Sequence, residues 1–184
     1  MELETVICNR RSIRKFQKKP VEKEKVQALL ESARLCQSAK NRQPWRFLVL
    51  TETKKDRVAD IMLQLYEKNH IEIPGIANSS KSSAQIIQNA PVLILACMEK
   101  DEHMQLSDLL SMGAAIEHIC LKAVDEGLGS VWIADTVYTR DEICNTFQLE
   151  GLQLISGIAI GYADEHPAPR PRKTMEEIIL HRES

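Results

Sequence analysis

Val92-Leu93-Ile94-Leu95-Ala96-Cys97-Met98 is a run of seven residues without a polar side chain. It is too short for a buried helix or a membrane span and is rich in β-branched and aliphatic types. It therefore reads as a strand covered on both faces. A strand of that kind needs apolar layers above and below it, and the flanking sequence supplies them. From Leu106 to Glu126 runs the longest helical pattern, with Leu109, Met112, Gly113, Ile116, Ile119, Cys120 and Ala123 apolar or small. So broad a face predicts burial on more than one side, and Gly127 is a natural stop. Ser130–Ala134 and Leu154–Tyr162 read as further strands. Gly157 and Gly161 in the latter predict a close approach of another part of the chain.

Upstream, residues 21–35 read as a helix after Pro20, with Val26, Leu29, Leu30 and Ala33 on one face. Phe47-Leu48-Val49-Leu50 reads as a buried strand, with Trp45 in the core. Thr53 with Asp56, Thr139 with Glu142 and Thr174 with Glu177 match the capping-box spacing and predict helix starts. The helix after Thr53 carries Val58, Ile61, Met62 and Leu65 on one face. Residues 70–83 lose periodicity, collect Pro74, Gly75 and the serines 79, 80, 82 and 83, and read as a loop, partly helical towards Ile87. Helices and strands are mixed, with the first half helix-heavy, which argues against a regular βαβ array.

The chain has 184 residues, 43% hydrophobic, 27% charged and 4% aromatic. That length predicts one domain over 1–184 with a sizeable core. No run reaches the ~20 apolar residues of a spanning helix, and the acidic start MELETVICNRR does not resemble a secretory leader. The expectation is a cytoplasmic protein with no membrane partner. A formal net charge of −2 gives no indication of nucleic acid. Five cysteines without a CxxC pair fit a reducing compartment and no zinc site. The histidines 70, 103, 118, 166 and 181 form no metal-binding pair, and surface positions are expected for them. Gly127-Leu128-Gly129-Ser130 follows a helix and precedes a strand, the reverse of a dinucleotide-binding loop. No P-loop and no nucleophile elbow occur.

Two basic stretches stand out: Arg10-Arg11-Ser12-Ile13-Arg14-Lys15 and Arg170-Pro171-Arg172-Lys173. Each alone is a solvated surface. Converging, Arg10, Arg11, Ser12, Arg170 and Arg172 offer the paired donors that bind a phosphate monoester. Ser38–Trp45 (SAKNRQPW) concentrates polar donors between a helix and a strand, and Asn41 and Gln43 suit a flat heterocycle with imide edges.

RRSIRKF, SAKNRQPWRFLVL, GLGSVWIAD and GYADEHPAPRPRK, in this order and spacing, resemble the nitroreductase family of FMN-dependent oxidoreductases over nearly the whole chain. The resemblance implies an α+β, three-layer fold with a central, mostly antiparallel sheet flanked by helices. It also implies a homodimer with FMN at the interface. Arg10 and Ser12 match positions that bind the FMN phosphate, with Arg11 in the same loop, and Arg14 matches the cation near the flavin's pyrimidine edge. Gln37, Ser38, Ala39 and Asn41 match the loop that the partner lays against the ring. Ile133, Ala134 and Asp135 match the strand end whose backbone faces the reactive nitrogen, and Arg170 and Arg172 match the late basic pair near the phosphate. The long helix, with Gly113, Ala114 and Ala115, is the expected dimer element. The chain departs from the family where Gln37 replaces Pro, Ala134-Asp135 replaces a common Gly, and Ala163 replaces Pro. Asp135 is expected to point away from the flavin.

The implied activity is hydride transfer from NADH or NADPH to FMN, then reduction of a small organic acceptor (a nitroaromatic, a quinone or a relative) in ping-pong fashion. The flavin carries the chemistry, so no protein catalytic residue and no metal are expected. The alternatives are a flavin-sequestering protein without efficient turnover and, below it, an anion-binding module without flavin.

Overall fold

The computed structural model describes residues 1–67 and 74–180. Seven helices appear among the described residues: α1 (Leu3–Asn9), α2 (Lys23–Arg34), α3 (Glu52–Glu67), α4 (Pro74–Asn89), α5 (Gln105–Asp125), α6 (Arg140–Thr146) and α7 (Met175–Ile178). Four strands, β1 (Trp45–Thr51), β2 (Val92–Glu99), β3 (Gly129–Ile133) and β4 (Leu152–Gly161), form one sheet in the order β1-β2-β4-β3. All three pairings are antiparallel.

Strand β2 explains the layering. Successive side chains of a strand point to opposite faces. Leu93, Leu95 and Cys97 pack into one core with Val58, Ala59, Ile61 and Met62 of α3, Ala84 and Ile87 of α4, and Ile143 of α6. Val92, Ile94, Ala96 and Met98 pack into a second core with Leu29 and Ala33 of α2 and Met112, Ala115, Ile116, Ile119, Cys120 and Ala123 of α5. Each Val, Leu, Ile or Met among them contributes about 1.5–3 kcal/mol by leaving water. The fold is thus α+β, with a sheet between two helical layers, as the apolar run of β2 requires. No helix among the described residues is long and apolar enough to cross a membrane.

Helix α5 ends as expected at Gly127. Its φ of +73° lets the Leu128 N–H reach the Ala123 carbonyl at 2.7 Å and its own N–H reach Val124 at 3.0 Å, a Schellman closure. Gly161 permits close packing: a Cβ there would lie 2.5 Å from Pro91 Cδ. The Thr174–Glu177 capping box forms at the start of α7.

Four local expectations need correction. The chain from Pro74 to Ser83 is helical, as the first part of α4, and not a loop; residues 70–73 lie outside the described residues. Ser80 is buried at the i−4 and i−7 positions from Ala84 and Ile87, so a small serine on the inner face hid the helical period. Strand β1 is an edge strand: Leu50 is buried, but Phe47 and Leu48 are half-buried and Val49 is exposed, so the buried reading of 47–50 holds in full only for Leu50. Thr53 lies inside α3, which starts at Glu52, and cannot cap it. Thr139 does precede α6, but its hydroxyl donates to the Thr136 carbonyl instead of capping.

Candidate functional site

The segment carrying RRSIRKF is stitched to the sheet by its backbone. Ser12 bridges Ser130 of β3 and Phe16 bridges Ala163 just past β4. The Ile13 N–H donates to the Ser130 carbonyl at 2.9 Å, and the Asp164 N–H donates to the Lys15 carbonyl at 2.9 Å. Ile13 and Phe16 alternate with the arginines and point into the core. Gly129 makes this possible, because a Cβ there would lie 2.7 Å from Ile13 Cγ1. Glu165 adds a side-chain tie, accepting from the Arg14 and Lys15 N–H groups at 2.5 and 3.2 Å.

These ties bring the amino-terminal arginines to the segment that leaves β4. The result is a groove of about 570 Å³ with Arg10, Arg11, Ser12 and Arg14 on one side and Pro167–Pro169, Arg170 and Arg172 on the other. Five guanidiniums face one carboxylate, Glu117. Arg10 Nε pairs with Glu117 at 3.2 Å, so an arriving dianion would compete with that carboxylate for Arg10. Arg11 is braced by the Cys8 and Arg10 carbonyls at 2.7 and 2.8 Å. Arg14 donates to the Ser12 carbonyl at 3.1 Å. The donor set suits a phosphate monoester: rigid forks, one hydroxyl and a strong local excess of positive charge. A second cleft of about 520 Å³, beside Lys100, Arg140 and Cys144, contains none of the residues singled out from the sequence.

The other sequence-predicted residues stand elsewhere on the protomer. Gln37, Ser38 and Ala39 line a cleft of about 410 Å³ with Ser107, Leu110, Ser111 and Ala114 of α5. Asn41 lies in the same turn, its side chain accepting from Gln43 Nε2 at 3.2 Å. Leu110 and Ala114 of this cleft and Glu117 of the arginine groove share one stripe of α5 at i, i+4 and i+7, so that face lies between the two. The face is apolar and open: Leu106 and Leu110 are 73% and 70% exposed. Ile133, Ala134 and Asp135 line neither cleft. Ile133 ends β3, and Ala134 and Asp135 open the 3-10 helix (Ala134–Thr139) that follows it; the Ile133 carbonyl accepts from Ser156 Oγ at 2.9 Å. The Asp135 carboxylate accepts from Ser83 Oγ of α4 at 2.7 Å, tying the strand end to that helix.

Sequence reasoning passed over Glu117, Cys8, Arg42 and Asp108. Glu117 continues the Gly113-Ala114 stripe and was open to the helical period. Asp108 sits in an apolar helix, and only the fold shows its partner. Burial pushes the Cys97 thiol up to about 12 and the Cys120 thiol up to about 11, so neither is ionised near neutral pH. Among the described residues no cluster of His, Cys, Asp or Glu could hold a metal ion. His103, His118 and His166 are exposed, as expected, while His70 and His181 lie outside the described residues.

Comparison with known proteins identifies the family. The model of the Nitroreductase family matches residues 7–162. The chain belongs to the nitroreductase family. Among nitroreductase relatives, a Bacillus subtilis (strain 168) protein named "Putative NAD(P)H nitroreductase YfhC" is 25% identical over 179 residues, 95% of this chain and 91% of its own. An iodotyrosine deiodinase of Thermotoga neapolitana is also 25% identical, over 93% of this chain and 92% of its own. The FMN and NADPH-dependent nitroreductase NfnB of a Sphigopyxis species (strain HMH) shares the fold, with a TM-score of 0.85 over 100% of both chains at 21% identity. Two relatives at equal identity thus carry the names of different reactions, so identity at this level does not select an acceptor.

Proposed function

We propose that this nitroreductase-family chain is a single-domain, cytoplasmic, FMN-dependent oxidoreductase. It takes hydride from NADH or NADPH and reduces a small organic acceptor (a nitroaromatic, a quinone or a related molecule) by a ping-pong mechanism. The observation that carries the reading is the convergence of Arg10, Arg11, Ser12 and Arg14 with Arg170 and Arg172 on one groove. Sequence positions about 160 residues apart meet there only because the first segment pairs with β3 and with the exit of β4. Bound FMN would supply the hydride-accepting and electron-donating chemistry. The chain binds and orients: Arg10, Arg11, Ser12, Arg170 and Arg172 hold the phosphate, and Arg14 puts a fixed positive charge near the pyrimidine edge. The backbone of Ile133, Ala134 and Asp135 lies along the ring.

Gln37, Ser38, Ala39 and Asn41 complete the site from a second copy. Their separation from the arginine groove within one protomer supports this arrangement. So does the exposed α5 face with Leu106 and Leu110, together with Met175, Ile178 and Leu180 near the carboxyl end, 60%, 57% and 89% exposed. Leu106 and Leu110 are i, i+4 neighbours on α5, and large apolar side chains grouped on an open face mark a surface that docks.

The test is spectroscopic. The purified protein should be yellow, sediment as a dimer, bleach on anaerobic addition of NADH or NADPH, and recover colour when a nitroaromatic or quinone is added. Bleaching without recovery by any acceptor would mark a flavin-sequestering protein. A colourless protein that does not take up FMN would end the reading.

A further inference from the structure

Among the described residues, five non-glycine residues have left-handed backbone, and three of them, Lys40, Asn41 and Gln43, lie in one turn, with φ of +52°, +53° and +49°. Each such residue costs about 1–2 kcal/mol, less for Asn. Strain of this kind persists only where the surroundings over-determine it, and it gathers at pre-organised sites. Arg42, inside the turn, has the means. Its Nε donates to Asp108 Oδ1 at 3.1 Å, and its Nη2 donates to Asp108 Oδ2 at 3.2 Å and to Asp101 Oδ2 at 2.8 Å. The planar guanidinium fork matches the carboxylate in a way a lysine cannot. Asp108 is fully buried in the first turn of α5, a place where a carboxylate is costly without a hydrogen-bonded cation beside it. In return its carboxylate holds the Arg42 guanidinium above its ordinary value. Two main-chain bonds lie within the turn, from the Asn41 N–H to the Ser38 carbonyl and from the Arg42 N–H to the Ala39 carbonyl, both 3.0 Å, and two side-chain acceptors add to them: the Ala39 N–H donates to Ser111 Oγ at 3.2 Å and the Gln43 N–H to Ser38 Oγ at 2.9 Å.

We propose that Arg42 and Asp108 are positioning residues that lock segment 38–43 in its left-handed shape on α5 and thereby set the cofactor affinity of the site this segment completes. The clause on affinity rests on the flavin reading; the lock does not. The pair touches neither the arginine groove nor the end of β3, so its effect passes through the turn. Because α5 also carries the exposed Leu106 and Leu110, the turn and the docking face are fixed by the same helix.

The turn contains its own reporter, since Lys40 is exposed and is a site for trypsin. The native apoprotein should resist cleavage after Lys40. Asp108→Asn, which keeps the shape and removes the charge, should speed that cleavage about tenfold at a temperature where its melting curve shows it fully folded, because cleavage follows the opened population. It should weaken FMN binding by a similar factor. Arg42→Lys keeps the charge, loses the fork, and should weaken FMN binding as much as Asp108→Asn does. Full affinity in Arg42→Lys would mean that charge alone suffices and would overturn the geometric lock. Unchanged cleavage in Asp108→Asn overturns the lock outright. Faster cleavage with unchanged FMN affinity overturns the link to the cofactor. If the native protein takes up no FMN, the flavin reading fails, and the lock stands or falls on cleavage alone. Should Asp108→Asn not fold, Ser111→Ala, which removes one acceptor from the turn, should speed cleavage about threefold, and no change there overturns the proposal.

Discussion

The two loops that carry the candidate site are built in opposite ways. The segment 10–16 lies extended along β3 and the exit of β4 and is held by main-chain hydrogen bonds and two buried anchors, Ile13 and Phe16. The turn 38–43 is left-handed at three residues and, beyond two main-chain bonds of its own, is tied to α5 by side chains: Arg42 to Asp108, and the Ala39 N–H to Ser111. Main-chain ties survive most substitutions, whereas side-chain ties do not. The first loop should therefore tolerate loss of an arginine with its shape intact, while the second should lose its shape to one isosteric change.

The strongest way to break this contrast is to deform the first loop through its backbone. Gly129→Val puts a branched side chain where even a Cβ would come within 2.7 Å of Ile13. It should destabilise the fold by about 1–3 kcal/mol and abolish FMN uptake, read by thermal melting and flavin fluorescence. A melting temperature equal to the native one would show that Ile13 moves freely and that the stitching is weak. Next in size, replacing Arg10 and Arg172 together with alanine should weaken FMN binding about 100-fold, as expected for two lost charge-assisted bonds, while the melting temperature of the apoprotein stays near native. The native protein should also prefer FMN to riboflavin, and equal affinity for both would remove the phosphate from the groove. Smaller again, Lys40→Gly relieves a left-handed residue and should raise stability by up to about 1 kcal/mol. Loss of stability there would show that the turn is not strained. The smallest effect is expected far from both loops. Hydrogen bonds from Lys122 and the amino terminus hold the Asp125 carboxyl at about 2, below its ordinary value near 4. Its contribution is present above about pH 4 and disappears as the pH falls towards 2. Asp125→Asn should flatten the acid limb of the stability curve and, for an exposed pair, hardly change the melting temperature at pH 7.

The same contrast explains what the sequence revealed. Periodicity was enough for α2, β2 and α5, where one element contributes all the evidence. The arginine groove was readable because charge clusters are visible in the string and the segment pairs with strands that were themselves readable. The first part of helix α4 was not, because Ser79, Ser80, Ser82 and Ser83 mask an inner face on which Ser80 is buried beside Ala84 and Ile87. The edge position of β1 follows from strand order, which no local window contains. Arg42 and Asp108 are 66 residues apart. Nothing near either position signals the other, and an aspartate in a helix of leucines reads as surface until the fold buries it.

The order β1-β2-β4-β3 has a kinetic consequence. No two neighbouring strands are joined by a tight turn; at least one helix lies between every consecutive pair along the chain. Each pairing must close a long stretch of polypeptide before any ladder bond forms, and contact order of this kind slows folding towards milliseconds or longer. Strand β2, needed on both sides, is an exposed apolar ribbon until β1 and β4 arrive, so refolding yield should fall steeply as protein concentration rises.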